Sequence, residues 1–256
     1  MVFDIAILLA LLAALTMLGY LIRSSRALHR KANRNAERNS KEMQTQLSKI
    51  RTELGNTYHQ IEAIEQLLPI LKLSAPLPPS RGWAGSPDFL LALSQVTKSS
   101  RPKLSVELGS GISTLVLAKS GAKKVVSLDH SQEFGQQTRA MLATHGVRGV
   151  EIRIHDLETY PSGYKWYAKE SLKGLSKIDL LVIDGPPSST NPDARYAALE
   201  HLVPLLSAKA TVILDDAFRE EEMKLAQAIL EALPGHSLHM LNHEKGTAVI
   251  SPTMKR

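Results

Sequence analysis

The stretch Lys103–Asp129, KLSVELGSGISTLVLAKSGAKKVVSLD, contains the pattern that decides the fold. Its first part, Lys103–Leu108, predicts a buried strand. Gly109 and Gly111 follow at once and predict a tight turn, and residues 113–119 predict the opening of a helix. Glycine allows a ligand to approach the backbone closely, and the first N–H groups of a helix are free to bind a carboxylate or a phosphate. The stretch therefore predicts a cradle for a cofactor.

The residue types around this turn indicate which cofactor it binds. A second apolar run, Val125–Asp129, predicts the next strand and ends in an acid twenty residues after Gly109, where a carboxylate can accept hydrogen bonds from both hydroxyls of a ribose. The fingerprint of dinucleotide sites requires a third glycine at the position of Thr114. Glu107 would repel a pyrophosphate but suits a cationic amino group. These features argue against a nicotinamide cofactor.

An acid followed by Gly-x-Gly resembles the first motif of the class I methyltransferases that use S-adenosylmethionine. The resemblance covers roughly residues 80–252 and implies that Glu107 lies near the methionine amino group and that Asp129 holds the ribose. His155 and Asp156 follow the third predicted strand, where the resemblance implies contact with the adenine, although both also suit a solvated turn. The predicted cofactor-binding residues are Glu107, Gly109, Ser110, Gly111, Ser113, Asp129, His130, His155, Asp156 and Asp184.

Further apolar runs predict the rest of a parallel sheet buried between helices. Beyond the first two strands, the chain is predicted to form strands at 150–154, 178–184 and 210–215 and helices at 133–144, 194–206 and 219–232. It closes with a predicted hairpin made of 237–241 and 247–250. This order matches the fold that the resemblance implies, a Rossmann-like, doubly wound α/β sheet of seven strands in which the last strand is antiparallel.

Acids stand at the ends of the fourth and fifth predicted strands, where open parallel sheets bind their ligands. They are Asp184, Asp215 and Asp216. By resemblance to the catechol-type O-methyltransferases, such acids hold a divalent metal that orients the acceptor hydroxyl, and three carboxylates suit magnesium or manganese. Pro187 stands where those relatives place a catalytic lysine, and metal-free relatives carry an acid after the fourth strand as well. A divalent cation is therefore one prediction, and a metal-free role for Asp184 is the other.

Residues for catalysis and acceptor binding are predicted near the same edge of the sheet. Asp184 is one candidate base, and His130 is another because an unperturbed histidine titrates near neutral pH. A simple solvated residue at the strand end is the alternative for His130. Arg195 can recognise an anionic acceptor with its planar guanidinium or pair with Asp193 or the last turn of a neighbouring helix, and Tyr196 adjoins it. We predict Asp184 and His130 as catalytic residues, and Arg195 and Tyr196 as acceptor-binding residues.

The N-terminal segment has a different character. Ile5–Ile22 contains no charged residue, and its eighteen residues correspond to about 27 Å of helix, enough to span a bilayer. A cleaved signal peptide requires a basic start and a small-residue cleavage site, whereas residues 1–4 carry only an acid. The sequence therefore predicts a single-pass anchor at residues 1–23, in the cell inner membrane or plasma membrane.

A basic run follows the anchor and predicts its orientation. Residues 23–41 contain seven arginines and lysines against one acid, Glu37. Basic flanks stay in the cytoplasm, so we expect the C-terminal domain on that side of the membrane. The run accounts for the whole formal net charge of +6, and the rest of the chain lacks the basic excess that a nucleic-acid enzyme carries near its site. We expect a membrane partner and no nucleic acid.

Residues 24–73 predict a helical stalk. Apolar residues recur there at alternating spacings of four and three from Met43 to Leu71, which predicts a coiled coil and hence a possible homodimer. The alternative is a single amphipathic helix packed on the C-terminal domain. Three prolines in residues 74–82 predict a stiff linker, so that residues 83–256 form the methyltransferase-like domain.

These features predict a membrane-anchored methyltransferase that faces the cytoplasm and methylates an oxygen of a small-molecule, glycan or lipid-linked acceptor. The preference for oxygen comes from the resemblance alone. Two alternatives remain open. One is a nicotinamide or nucleotide-sugar enzyme of the same architecture, and the other is a membrane-tethered scaffold that binds the cofactor without turnover. The acids at every predicted strand end argue mildly against the scaffold.

Overall fold

The computed structural model describes residues 2–80 and 82–253 of the chain. It divides the chain into two compact units, Met1–Thr57 and Tyr58–Arg256. The first unit is helical, and the second contains all of the strands. The helices are α1 (Val2–Leu71), α2 (Pro87–Ser100), α3 (Ile112–Lys119), α4 (Gln132–Thr144), α5 (Ala197–His201) and α6 (Glu220–Ala232).

The second unit is built on a sheet of seven strands with the order β3-β2-β1-β6-β7-β9-β8. The first five strands of this order are parallel, and β9 is antiparallel to both of its neighbours. This confirms the predicted Rossmann-like α/β sheet. Because the strand order reverses between β1 and β6, a crevice opens at their carboxyl ends. The strands are β1 (Leu104–Leu108), β2 (Lys124–Asp129), β3 (Val150–Ile154), β4 (Leu157–Thr159), β5 (Lys165–Tyr167), β6 (Ile178–Ile183), β7 (Leu206–Leu214), β8 (His236–Leu241) and β9 (Thr247–Pro252).

Both faces of the sheet are covered, which explains why its central strands are apolar runs rather than alternating ones. In β6, Leu181 and Ile183 belong to the core on one face, whereas Leu180 and Val182 belong to the core on the other. All four side chains are fully buried. A strand with two buried faces holds its carboxyl end firmly, so the residues that follow β6 are well placed to form a site.

The connections around β6 differ from the predicted ones. Between β3 and β6 the chain forms an antiparallel hairpin of β4 and β5, followed by a short 3-10 helix at Lys169–Leu172. The hairpin buries Trp166 and Tyr167 completely in the core. The helix predicted at 194–206 is shorter, because Pro204 lacks the N–H that would continue α5 and a 3-10 turn takes over.

Helix α1 continues without a break through the residues predicted as anchor and stalk. In the second unit its last turns pack on the domain, where Leu67 and Leu71 are buried. Gln60 donates from Nε2 to Asp88 Oδ2 at 2.7 Å and accepts the Asp88 N–H at 3.2 Å. The amphipathic alternative therefore holds for this end of α1, and Leu71 of the predicted seam faces the domain. The compact unit begins at Tyr58 and includes residues 74–82, which the sequence predicts as a linker outside it.

Candidate functional site

The glycine turn between β1 and α3 lies at the crevice. Gly109 has φ of +90°, a left-handed conformation that side chains disfavour. Its N–H donates to Leu128 O at 2.8 Å, and the Asp184 N–H donates to Leu108 O at 3.2 Å, so the ends of β1, β2 and β6 are joined. A Cβ on Gly111 would meet no protein atom within 4 Å. The protein therefore leaves open space beside Gly111, as expected where a ligand approaches the backbone.

Asp129, at the end of β2, is held beside this turn. Its Oδ2 accepts hydrogen bonds from the N–H of Ser110 at 3.0 Å and from the Ser110 hydroxyl. Its Oδ1 accepts the Ser131 N–H at 2.8 Å. The structure thus brings together the predicted residues Asp129 and Ser110. A ribose hydroxyl would take the place of the Ser110 hydroxyl on Oδ2, and this contact stays a prediction.

Glu107 lies beneath the turn and is fully buried. Its Oε2 accepts hydrogen bonds from the hydroxyls of Thr114 at 2.5 Å and Ser127 at 2.7 Å, whereas Oε1 has no partner among the described residues. Burial raises the pKa of Glu107 to about 7, although hydrogen bonds from nearby hydroxyls, including that of Ser113, oppose the rise. The predicted contact with a methionine amino group stays a prediction, because Oε1 is itself buried.

The remaining predicted cofactor residues lie at the rim of the crevice. His130 Nδ1 is 3.9 Å from Asp129 Oδ1, and about a third of the His130 side chain is exposed. The His155 N–H donates to Asp129 O at 3.1 Å, while the side chains of His155 and Asp156 are exposed. Ser113 is buried in the first turn of α3. Among the described residues the side chains of His155 and Asp156 have no hydrogen-bond partner, and their role at the adenine stays a prediction.

The acids after β6 and β7 meet in one group, which we call the acid cluster: Asp184, Asp215 and Asp216. Each offers a carboxylate oxygen within 4.8 Å of the others. Both carboxylate oxygens of Asp215 and Oδ1 of Asp216 are buried without a hydrogen bond in the described part of the chain. Burial and the charge of the neighbouring acids raise the pKa of Asp215 to about 6 and that of Asp184 well above its usual value. Buried carboxylates without donors suit a hard cation.

Arg195 lies inside the domain, where its guanidinium contacts the acid cluster. Its Nη2 is 2.8 Å from Asp216 Oδ2 and 3.4 Å from Asp184 Oδ1, and its Nη1 is 3.6 Å from Glu222 Oε1. The same nitrogens donate to the backbone oxygens of Asp184 and Asp215, each at 3.1 Å. Arg195 is only 5% exposed. The predicted contact with an anionic acceptor is therefore corrected, because internal acids and carbonyls already take both terminal nitrogens.

Tyr196 is separated from the acid cluster although it follows Arg195 directly. Its side chain is 41% exposed. It lines a surface cavity of about 270 Å³ together with Tyr164, Pro192, Asp193, Ala197, Leu199 and Glu200. Tyr196 is thus exposed whereas Arg195 is buried, although both line one small cavity next to Glu222, and the role of Tyr196 stays a prediction.

Three polar residues at this edge were missed by sequence reasoning. The Tyr167 hydroxyl is buried without a hydrogen bond in the described chain, beside the ends of β1 and β6. Glu222 on α6 is 3% exposed and pairs with Arg195. Lys245, in the turn between β8 and β9, lowers the pKa of Asp184 through its charge. Only Glu222 left a signal in the sequence, since it stands on the apolar face of its helix with Leu225, Ala226 and Ile229.

Comparison with known proteins agrees with this geometry. Residues 106–217 match the model of a family described as "Methyltransferase domain". An O-methyltransferase from Bacillus cereus, solved in complex with SAH, is 16% identical, with coverage of 75% of this chain and 91% of that chain and a TM-score of 0.50. A methyltransferase from Geobacter sulfurreducens is 17% identical, with coverage of 76% and 90% and a TM-score of 0.49. No curated protein sequence matches the chain. Residues 106–217 are therefore similar to a methyltransferase domain, and the sheet of the chain has the Rossmann-like fold.

Proposed function

We propose that this chain is a membrane-anchored, S-adenosylmethionine-dependent methyltransferase that methylates an oxygen of a small-molecule, glycan or lipid-linked acceptor at the cytoplasmic face of the membrane. The observation that carries the proposal is the joint placement of the glycine turn, Asp129 and Asp184 around one crevice. The turn and Asp129 suit the nucleoside end of the cofactor. Asp184 stands at the end of the neighbouring strand, where an acceptor can reach it.

The residues present fit S-adenosylmethionine. Gly111 leaves open space beside the turn, Asp129 offers a buried carboxylate to the ribose, and Glu107 lies beneath the turn with an Oε1 that has no hydrogen-bond partner among the described residues. The bound cofactor supplies a methyl group that is already activated on a sulfonium. The chain then has to hold the acceptor oxygen in line with that methyl group, and such positioning contributes several kcal/mol. We propose Asp184 to orient and deprotonate the acceptor hydroxyl, because a carboxylate with a raised pKa is the stronger base.

Calorimetry with SAH on the full chain tests the cofactor assignment. We expect one site per chain and a loss of at least tenfold in affinity in Asp129→Ala, because charge-assisted hydrogen bonds are each worth about 1.5–3 kcal/mol. Asp179→Ala is the matched control, since that carboxylate accepts the Lys103 and Leu104 N–H groups at the opposite end of the sheet. Absence of SAH binding, or tighter binding of a nicotinamide dinucleotide, would contradict the assignment.

Turnover separates an enzyme from a cofactor-binding scaffold. The full chain is incubated with S-adenosylmethionine carrying a labelled methyl group and with extracts of membrane lipids and of soluble metabolites. We expect labelled product, and we expect Asp184→Asn to suppress it while SAH affinity stays within about threefold of the unsubstituted chain. If label transfer survives in Asp184→Asn and is lost in His130→Ala, the proton is removed by His130 instead. SAH binding without any labelled product would support the scaffold.

We further propose that the acid cluster binds a divalent cation, magnesium or manganese. With Glu222, the cluster provides four carboxylates, and Arg195 and Arg219 provide two positive charges against them. Lys245 adds a third positive charge that acts on Asp184 and Asp215, so at most one negative charge remains unbalanced next to the unpartnered oxygens of Asp215. A cation bound there lowers the pKa of an acceptor hydroxyl. Excess chelator should abolish methyl transfer and magnesium should restore it, and full activity in chelator would leave Asp184 acting without a metal.

Membrane anchoring is supported by the apolar start of α1. This helix includes an 18-residue window with a mean hydropathy of 2.6, none of it buried in the protein. With the basic run that follows, it suits a single span with the domain in the cytoplasm. The chain should remain in the membrane pellet after alkaline extraction, and a C-terminal reporter that works only in the cytoplasm should be active. A mature chain that lacks Ile5–Ile22 would identify a signal peptide instead.

We also propose that the exposed part of α1 pairs with a second copy of the chain. Met43, Leu47, Ile50 and Leu54 recur at spacings of four and three, and each side chain is at least 50% exposed. A parallel coiled coil buries such a stripe, and a shared membrane anchor keeps two copies parallel. Light scattering in detergent should give a dimer, and asparagine at these four positions should give a monomer that still binds SAH. Lys49→Asn, off the stripe, is the control, and an unchanged mass in the fourfold variant would refute pairing.

A further inference from the structure

Arg195 joins the two strand ends that carry the acid cluster. Its guanidinium donates to the backbone oxygens of Asp184, after β6, and of Asp215, after β7. It also pairs with Asp216 Oδ2 at 2.8 Å. Three acceptors on two adjacent strands thus share one rigid fork, a geometry that the single ammonium of a lysine does not reproduce. The positions of all three acids therefore depend on Arg195.

The two arginines that contact the acid cluster share one carboxylate oxygen. Arg219 Nη1 reaches the same oxygen that Arg195 takes, Asp216 Oδ2, at 3.0 Å. Both oxygens of Asp215 and Oδ1 of Asp216 are buried without a hydrogen bond in the described chain. Asp215 is 1% exposed, so solvent does not compensate for the missing donors. The cluster thus has one oxygen that two arginines neutralise and three buried oxygens without a hydrogen-bond donor, while the charge of Lys245 lowers the pKa of Asp184 and of Asp215.

We propose that Arg195 is a built-in cation of the acid cluster, which positions the three carboxylates and at the same time weakens, by charge repulsion, the binding of a divalent cation at their unpartnered oxygens. This rests on the proposed cation site. At the distances in the cluster, a fixed positive charge lowers the affinity for a second cation by at least about tenfold in a partly buried site. The divalent cation is then held weakly and exchangeably, and its occupancy follows the free cation concentration.

The test measures Mn²⁺ affinity on the full chain in detergent, from the spectroscopic signal of free Mn²⁺ in a titration without acceptor. We expect Arg195→Gln to bind Mn²⁺ at least about tenfold more tightly than the unsubstituted chain, and Arg195→Lys, which keeps the charge, to remain within about threefold of it. Mn²⁺ should also raise the melting temperature of Arg195→Gln by more than it raises that of the unsubstituted chain. A merely structural role for Arg195 predicts equal shifts.

Arg153→Gln is the matched control. Arg153 also donates to two backbone oxygens, those of Ser171 and Lys173, and pairs with an acid, Glu151, but it takes no part in the acid cluster. Its loss should lower the melting temperature and leave Mn²⁺ affinity unchanged. The control therefore distinguishes the effect of losing an arginine that binds backbone oxygens from the effect of losing a positive charge beside the acids.

Equal or weaker Mn²⁺ binding in Arg195→Gln would overturn the proposal, and so would the absence of Mn²⁺ binding in every variant. Should Arg195→Gln fail to fold, Glu222→Gln keeps the idea testable. Glu222 lies 3.6 Å from Arg195 and outside the acid cluster, so removing its charge leaves Arg195 less neutralised and should weaken Mn²⁺ binding several-fold. Unchanged affinity in Glu222→Gln would also overturn it. SAH titration of the same samples tests the cofactor assignment independently of the role proposed for Arg195.

Discussion

Replacing Glu107 by glutamine should remove a pH dependence from the stability of the domain. Burial raises the pKa of Glu107 to about 7 from its usual 4.5. A carboxyl whose pKa is higher in the folded state stabilises that state while it is protonated, and this stability is lost as the pH rises from 4.5 through 7. Between pH 5 and pH 8 the loss amounts to about 2–3 kcal/mol, since one pKa unit corresponds to about 1.4 kcal/mol. Glutamine keeps the shape and the two hydroxyl partners but has no charge to bury.

Urea unfolding of the compact unit Tyr58–Arg256 measures this pH dependence of stability, with the fluorescence of the fully buried Trp166 as the probe. The free energy of unfolding of the unsubstituted unit minus that of Glu107→Gln should fall by about 2–3 kcal/mol from pH 5 to pH 8. Taking the difference removes the titration of the acid cluster, which both proteins share. Glu231→Gln, at an exposed position, is the control and should give parallel curves. Parallel curves for Glu107→Gln as well would refute the reasoning.

Five further substitutions, in three tests, probe the packing of the site and the domain. Gly109→Ala should lower the free energy of unfolding by about 1–2 kcal/mol, because φ at this residue is +90°. Gly111 has an extended φ and open space beside it, so Gly111→Ala should leave the stability unchanged but weaken SAH binding in calorimetry. Leu67→Ala should lower the free energy of unfolding in urea by about 2–5 kcal/mol, because Leu67 is buried. The neighbouring Leu68 is exposed, so Leu68→Ala should lower it by less than about 0.5 kcal/mol. Equal losses would contradict the packing of α1 on the domain. Tyr167→Phe removes a buried hydroxyl without a partner, so unfolding free energy should stay the same or rise, and a loss above about 1 kcal/mol would reveal a missed partner.

Much of the fold could be predicted because its signals are local. The apolar run of β6 reflects burial on two faces, and Gly109 reflects a backbone angle that only glycine adopts easily. Each signal needs no knowledge of distant residues. The same holds for the acids at strand ends, since parallel strands bring their carboxyl ends to one edge, and Asp184, Asp215 and Asp216 do meet there.

Tertiary structure alone decided how those residues are used. The guanidinium of Arg195 points into the domain, because two backbone carbonyls and a carboxylate at the ends of different strands converge on it. No spacing in the sequence encodes this arrangement. The hairpin that buries Tyr167 and the packing of Leu67 on the domain depend equally on surfaces far away in the chain. Sequence thus determined which residues reach the crevice, because strand direction follows from local pattern. Only the packed structure decided their partners and charges, because burial and pairing arise from contacts between distant segments.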